Sequence, residues 1–184
     1  MFSRIKPTPQ EVAKTLPGDE IITHADVTMD RAFTLKAIPE EVWPWLMQLG
    51  KNRSGWYFPR LIERFIPPKK RALRSIEPKL QNLKVGSVID DWGGRDATFE
   101  VAQIEENHHI VHISTRGKIS MSWAIVLEPS DGDTTRVHFR LRLAPVSKKW
   151  LAESGGGFID ALTIAGLEAG LRERISKSKS TVGI

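Results

Sequence analysis

The chain carries no cysteine in 184 residues and only one tyrosine, Tyr57. With no thiol there is no disulfide, no thiolate nucleophile and no thiolate metal centre, a composition compatible with a reducing compartment. Apolar runs long enough to cross a bilayer are missing. Met1 to Lys14 holds charges and prolines where a secretory leader needs an apolar stretch. From these absences the sequence reads as a cytoplasmic protein. A G-x-S-x-G elbow and a phosphate-loop string are also missing, so nothing points to serine-hydrolase or nucleotide-loop chemistry.

Tryptophan, by contrast, is frequent, at six copies. Its large apolar surface with one N–H suits cores and pocket walls alike. Hydrophobic residues make up 40% and charged residues 27%, the balance of a globular chain, and the length allows one domain with a sizeable core. The net charge of +5 is unevenly placed. Lys69, Lys70, Arg71, Arg74 and Lys79 share one proline-flanked stretch, and Arg172, Arg174, Lys177 and Lys179 lie near the C-terminus. Such a stripe is a footprint for nucleic acid or anionic lipid. Without aromatic residues among the charges it reads instead as a solvated loop and a tail, so neither a nucleic-acid partner nor stable membrane insertion is expected.

Pro7, Pro9 and the Leu16-Pro17-Gly18-Asp19 turn make residues 1–20 an N-terminal arm. A strand carries Met29, Ala32, Phe33 and Leu35. Pro39-Glu40-Glu41 then opens a helix, since proline at its first position and acids in its first turn suit an N-terminus. Val42, Trp45, Leu46 and Leu49 share its apolar face, and Gly50 ends it. A second helical stretch begins at Gly55-Trp56-Tyr57, with Leu61, Ile62, Phe65 and Ile66 as apolar positions, and stops at Pro67-Pro68. Residues 67–84 read as a long basic connection, a candidate lid.

From Val85 the period changes to that of strands: Val85 to Trp92, Ala97 to Ile104, His109 to Thr115, Ile119 to Leu127 and Thr134 to Leu143. A closing helix runs from about Gly157 to Ile175 with two apolar stripes, one through Phe158, Leu162, Ala165 and Ala169, the other through Ile164, Leu167, Leu171 and Ile175. The order is strand, two helices, five antiparallel strands and a long helix. Its class is α+β, with the domain at 21–176 and a flexible basic tail at 177–184.

Local strings then carry a resemblance. Val42-Trp43-Pro44-Trp45-Leu46-Met47-Gln48-Leu49-Gly50, Arg53-Ser54-Gly55-Trp56-Tyr57, the approach Ile76 to Gly86, Ser122-Trp123 with Leu127-Glu128-Pro129, and Thr135-Arg136-Val137 with Arg140 and Arg142 resemble one uncharacterised bacterial branch of the START-like (SRPBCC, Bet v 1-type, polyketide cyclase-like) superfamily. The resemblance spans roughly residues 16 to 175. It implies a helix-grip fold, a curved antiparallel sheet of about six strands wrapped around the C-terminal helix, with a cavity for lipids or other apolar molecules between them. Members include carriers, cyclases, hydrolases and chaperone activators, so the fold does not fix the reaction. One departure is Ser87, where the branch usually carries aspartate after the glycine at Gly86. Any polar role of that aspartate passes to Asp90 or Asp91, or is lost.

Candidate ligand-binding residues follow. Trp45, Trp56 and Trp123 lie in elements that border the implied cavity; core packing is the competing role, and a wall residue fills both. Phe99, Phe139, Leu141, Phe158 and Leu162 join by phase. Tyr57, Asp90, Trp92 and Arg140 are the candidate inward polar groups. Strand alternation puts Arg140 and Arg142 opposite Phe139 and Leu141, hence in solvent if the apolar face looks inward, whereas the resemblance draws them toward the site. His108 and His112 stand on one strand face ~13 Å apart, too far to share an ion, with His109 opposite. No metal, cofactor or catalytic residue is expected. Ser154-Gly155-Gly156-Gly157 reads as a flexible connection and helix cap rather than an anion site. The expected partner is a hydrophobic small molecule or lipid, bound without covalent chemistry. The alternatives are a cyclase- or dehydratase-like enzyme and a protein-interaction module whose cavity is filled.

Overall fold

A computed structural model describes residues 2–147 and 156–182. After the one-turn helix α1 (Pro9–Ala13), the chain forms β1 (Val27–Leu35), α2 (Pro39–Gln48), α3 (Arg60–Glu63), β2 (Val88–Asp90), β3 (Thr98–Glu105), β4 (His109–Arg116), β5 (Ile119–Ser130), β6 (Thr134–Ala144) and α4 (Gly157–Val182). The strands make one antiparallel sheet in the order β1-β6-β5-β4-β3-β2. The hairpins pair neighbours in sequence, and β1 closes on β6 with Phe33 opposite Val137 and Met29 opposite Leu141. This is the helix-grip, α+β arrangement.

Period-two patterning gives the sheet two different faces. Phe33, Leu35, Ile110, Ile125, Leu127, Val137 and Phe139 look inward. They pack against Ile164, Ala165, Leu167, Leu171 and Ile175 of α4 and against Val42, Trp45 and Leu46 of α2. Two glycines let α4 approach the chain after α2. A Cβ at Gly170 would stand 2.5 Å from the Tyr57 carbonyl oxygen, and one at Gly166 2.5 Å from the Phe58 ring. The segment 57–58 is thereby seated directly on the helix.

The outer face is covered as well. Leu16 of the arm joins Val111, Ala124 and Val126 in a small second core. Beside it Arg140 is buried: its Nε donates to Asp30 Oδ1 (2.8 Å), Nη1 to Asp19 Oδ2 and to the Lys14 carbonyl (both 2.7 Å), and Nη2 to the Val12 carbonyl (2.8 Å). His138 Nε2 lies 2.7 Å from the same Asp30 oxygen. Arg142 donates to the Ile22 carbonyl (2.9 Å). Strand alternation placed Arg140 and Arg142 correctly on the face away from Phe139 and Leu141. Neither, however, is a free surface charge or a cavity group, because the arm folds back over them.

Other differences have local causes. The second helical stretch shrinks to the single turn of α3, since Gly55 takes a positive φ of 84° and bridges back to Gly50, and Pro67 follows within a turn. Leu61 and Phe65, expected on a buried side, are exposed. The connection 67–84 holds two 3-10 turns, Pro68–Lys70 and Pro78–Leu80. It is tied to α2 through Gln48, whose Nε2 donates to the Ser75 carbonyl (3.1 Å) while its Oε1 accepts from the Glu77 N–H (3.0 Å). α4 runs on past Ile175 through Val182, because no proline follows and the next glycine is Gly183. The stretch read as a flexible tail is therefore helical as far as the description reaches. Ser154 and Gly155 lie outside the described residues. No helix among those described is long and apolar enough to cross a membrane.

Arg140 tests how the arm is held. Arg140→Met takes the guanidinium away from the buried Asp30, which keeps only His138, and from the half-buried Asp19, and removing one partner of a buried ion pair costs about 3–5 kcal/mol. Urea unfolding should report a loss of that order, with early proteolysis between residues 1 and 20. Arg142→Met should cost well under half as much, and equal losses would refute the assignment.

Candidate functional site

Among the described residues, the interior between sheet, α2 and the chain after it holds a small, partly open cavity of about 30 Å³. Its wall is built from Leu46 of α2, Leu49 just past its end, Trp56, Ile89 and Asp90 of β2, Asp91 and Trp92 just after, Phe99 of β3, His112 of β4, and Trp123 and Ile125 of β5. Aromatic rings dominate and touch in sequence. Trp92 meets Trp56 edge-on at 5.6 Å between centroids, and Trp56 stacks on Trp123 at 6.2 Å. Trp123 then stacks on Phe139 at 5.8 Å, and Phe139 on Phe33 at 5.7 Å. Phe99 and His112 flank Trp123 at 5.8 and 5.5 Å. Trp56 is pinned by its indole N–H, which donates to the Thr163 carbonyl of α4 (3.1 Å). Trp92 at the outer end is 49% exposed.

Polar groups around the mouth are paired with one another. Asp90 Oδ2 accepts from Asn52 Nδ2 (2.7 Å) and Lys51 Nζ donates to the Asp91 carbonyl (2.9 Å). Asp91 forms an ion pair with Arg116, whose guanidinium also lies 5.5 Å from the Phe99 ring centroid. Ser87 closes a turn, its Oγ accepting from the Lys84 N–H at 3.0 Å.

His112 is different. It is buried, and its Nδ1 has no hydrogen bond of good geometry. Burial pulls its pKa down to about 4, with the Trp123 backbone opposing and Arg53 assisting. The cavity thus contains a neutral imidazole at physiological pH, suited to hydrogen bonding rather than to carrying charge.

The structure brings Trp56, Asp90, Trp92, Phe99 and Trp123 together in this wall. Phe139 stands behind Trp123, and Leu141 pairs with Trp123 across the β5–β6 ladder. Trp45 and Tyr57 meet edge-on one layer away, beneath α2. The Tyr57 hydroxyl donates to the Trp45 carbonyl (2.9 Å) and lies 2.7 Å from Ser54 Oγ, and burial pushes its pKa up to about 12. It is a satisfied structural group outside the cavity lining. Phe158 and Leu162, placed in the wall by helix phase, are exposed on the first turns of α4. Phe158 instead borders an open apolar groove of about 340 Å³ with Ile5, Pro7, Arg31 and Ala161. There Arg31 Nε faces Asp160 at 3.0 Å, and burial raises the Asp160 carboxyl against the pull of that arginine.

Sequence spacing missed His112 as a wall residue because it weighed the histidines only as metal ligands. Its signal was the alternation Ile110, His112, Ser114 along β4. His108, read as part of that strand, sits in the preceding turn with its Nδ1 3.1 Å from that of His109 and 3.2 Å from a Glu105 oxygen. Among the described residues these three form the one cluster close enough to share an ion, at an exposed hairpin end and outside the cavity lining.

No family model matches the chain, and no curated protein does. Solved structures do. A protein from Mesorhizobium loti is 16% identical, with a TM-score of 0.52 over 82% of this chain and 98% of that one. One from Thermobifida fusca is 18% identical, with a TM-score of 0.50 over 82% and 93%. CalU16 from Micromonospora echinospora is 20% identical, with a TM-score of 0.46 over 84% of each chain. At such identities the first two likenesses show the fold alone.

The buried imidazole predicts a pH dependence of stability. Because its folded pKa of about 4 lies below the 6.5 of a free imidazole, the unfolded chain binds the extra proton between those values. Its contribution is therefore intact above pH ~6.5 and is lost as pH falls toward ~4, by roughly 3 kcal/mol at most. Denaturant titrations should show His112→Phe flattening the difference in stability between pH 7 and pH 5. An unchanged difference would mean that His112 is not buried in its neutral form.

Proposed function

We propose that the protein binds a hydrophobic small molecule or lipid, without covalent chemistry, in the aromatic pocket between sheet and helices. The observation that carries this reading is a wall of Trp56, Trp92, Phe99 and Trp123 around the buried, neutral imidazole of His112. Apolar surface dominates the site and His112 supplies a single orienting group, the composition expected of a small-molecule pocket. The START-like resemblance of the Trp-Pro-Trp-Leu and Gly-Trp-Tyr strings agrees with it.

A volume of about 30 Å³ holds roughly one water, whereas ligand pockets run to ~300–1,000 Å³. Binding therefore requires the wall to open. Trp92 is the movable part: it sits on the exposed turn between β2 and β3, and among the described residues only the Trp56 ring meets it on the cavity side. Rotating it outward unroofs Phe99, His112 and Trp123 while the pinned Trp56 stays in place. Each Å² of apolar ligand surface then removed from water contributes about 25 cal/mol.

The small volume also favours a second reading, a filled core whose outer surface does the work. Native mass spectrometry of freshly purified protein, followed by denaturing extraction, separates the two. An adduct of a few hundred daltons, displaced by a fatty acid and bound more weakly by His112→Phe, is the expected result. Trp92→Ala should speed release by roughly tenfold if the ring is the gate. A bare mass that no lipid or polyketide shifts, in wild type and Trp92→Ala alike, would overturn the pocket reading.

A further inference from the structure

We propose that residues 60–71 form a docking surface for an anionic lipid bilayer, with Leu61 and Phe65 entering the interface and Arg64, Lys69, Lys70 and Arg71 meeting headgroup phosphates. Leu61 is 66% exposed and Phe65 79% exposed. Leu61 lies in the single turn of α3 and Phe65 four residues on, in the turn that follows it, and both side chains reach solvent.

The orientation is fixed from below. Glu63, on the same turn, is buried and held by two arginines, its Oε1 accepting from Arg174 Nη2 (2.6 Å) and its Oε2 from Arg74 Nε (3.1 Å). With Glu63 locked inward, Leu61 and Phe65 are locked outward. The backbone N–H of Arg60 donates to Glu173 of α4 (2.8 Å), and Arg71 Nε donates to the Ile66 carbonyl (2.8 Å), so the segment is braced at both ends.

Charge completes the pattern. Arg60, Arg64, Lys69, Lys70 and Arg71 are all exposed around the apolar pair. The carboxylates beside them, Glu63 and Glu173, are already engaged by Arg74, Arg174 and Arg60. An open pocket of about 450 Å³ is lined by Arg60, Arg64, Arg71, Arg74, Ala72 and Glu63; the Glu63 carboxylate is already paired with Arg74 and Arg174, so the pocket keeps a net positive lining. Long cations flanking exposed apolar side chains are the chemistry of an interfacial segment: the apolar tips leave water while the charges stay at headgroup level. The sequence set aside lipid contact for want of an aromatic among the charges, and the fold supplies one in Phe65, over which the Arg64 guanidinium lies at 5.3 Å.

The test uses the full-length chain and sucrose-loaded vesicles of phosphatidylcholine alone or with about 30% phosphatidylglycerol, where each surface cation contributes roughly fivefold to partitioning. Binding should rise at least tenfold with phosphatidylglycerol and weaken with salt. Leu61→Ser with Phe65→Ser, and separately Lys69→Glu with Lys70→Glu, should each reduce it at least tenfold. All four side chains are exposed, so thermal unfolding should be unchanged. Since the chain has no other cysteine, Phe65→Cys carrying an environment-sensitive dye should report an apolar setting on anionic vesicles only. The proposal fails if both vesicle types bind equally, or if the lysine pair matters and the apolar pair does not. It also fails if an RNA oligonucleotide or an acidic protein binds more tightly through the same residues.

Discussion

The guanidinium of Arg174 is the fixed point around which the helical side of the molecule is arranged. It is fully buried, stacks 4.6 Å from the Tyr57 ring centroid and shares Glu63 with Arg74. It also donates to the carbonyls of Leu73 (2.8 Å), Phe58 (3.0 Å) and Gly170 (3.1 Å). One side chain of α4 therefore holds the chain after α2, the turn of α3 and the start of the long connection. A buried charge of this kind is weak evidence of stability, since its desolvation offsets most of its attraction. Its effect here is geometric: it presses residues 57–58 against Gly166 and Gly170 and so brings Trp56 to the cavity wall.

The inner and outer faces of the sheet solve the same problem with different chemistry. Inside, a run of rings from Trp92 to Phe33 fills the space so completely that little volume remains. Outside, the arm brings carbonyls and the carboxylates of Glu11 and Asp19 to arginines that a strand's alternation had to place there. On the inner face the half-exposed ring of Trp92 has, among the described residues, no hydrogen bond to break if it turns outward.

The sheet was legible because its signal is period-two alternation, and Ile119 to Leu127 and Val137 to Leu143 display it cleanly. The long helix was legible from its two stripes, yet Phe158 and Leu162 misled, since a stripe states that residues share a face and not that the neighbouring element reaches that far along. α3 was over-extended because Leu61 and Phe65 carry helical spacing without a core to meet. Trp56, Asp90, Trp92, Phe99 and Trp123 were found from phase and resemblance. His112 and Arg140 escaped for a common reason: their surroundings are set by a hairpin partner and by an arm, far away in sequence, and no local pattern encodes such neighbours.

Both buried arginines recognise main chain more than side chain. Arg140 takes the carbonyls of Lys14, Val12 and Glu11, as Arg174 takes those of Leu73, Phe58 and Gly170. A carbonyl is the same at every residue, so the clasped segments are free to change identity provided their path is kept. Drift in evolution should thus be permitted at Val12 and Leu73, while Glu11, whose carboxylate also holds Arg136, the two arginines, and the glycines that admit the backbone to their reach, are held. Relatives of this chain would be traced more surely through the residues that grip than through the segments gripped.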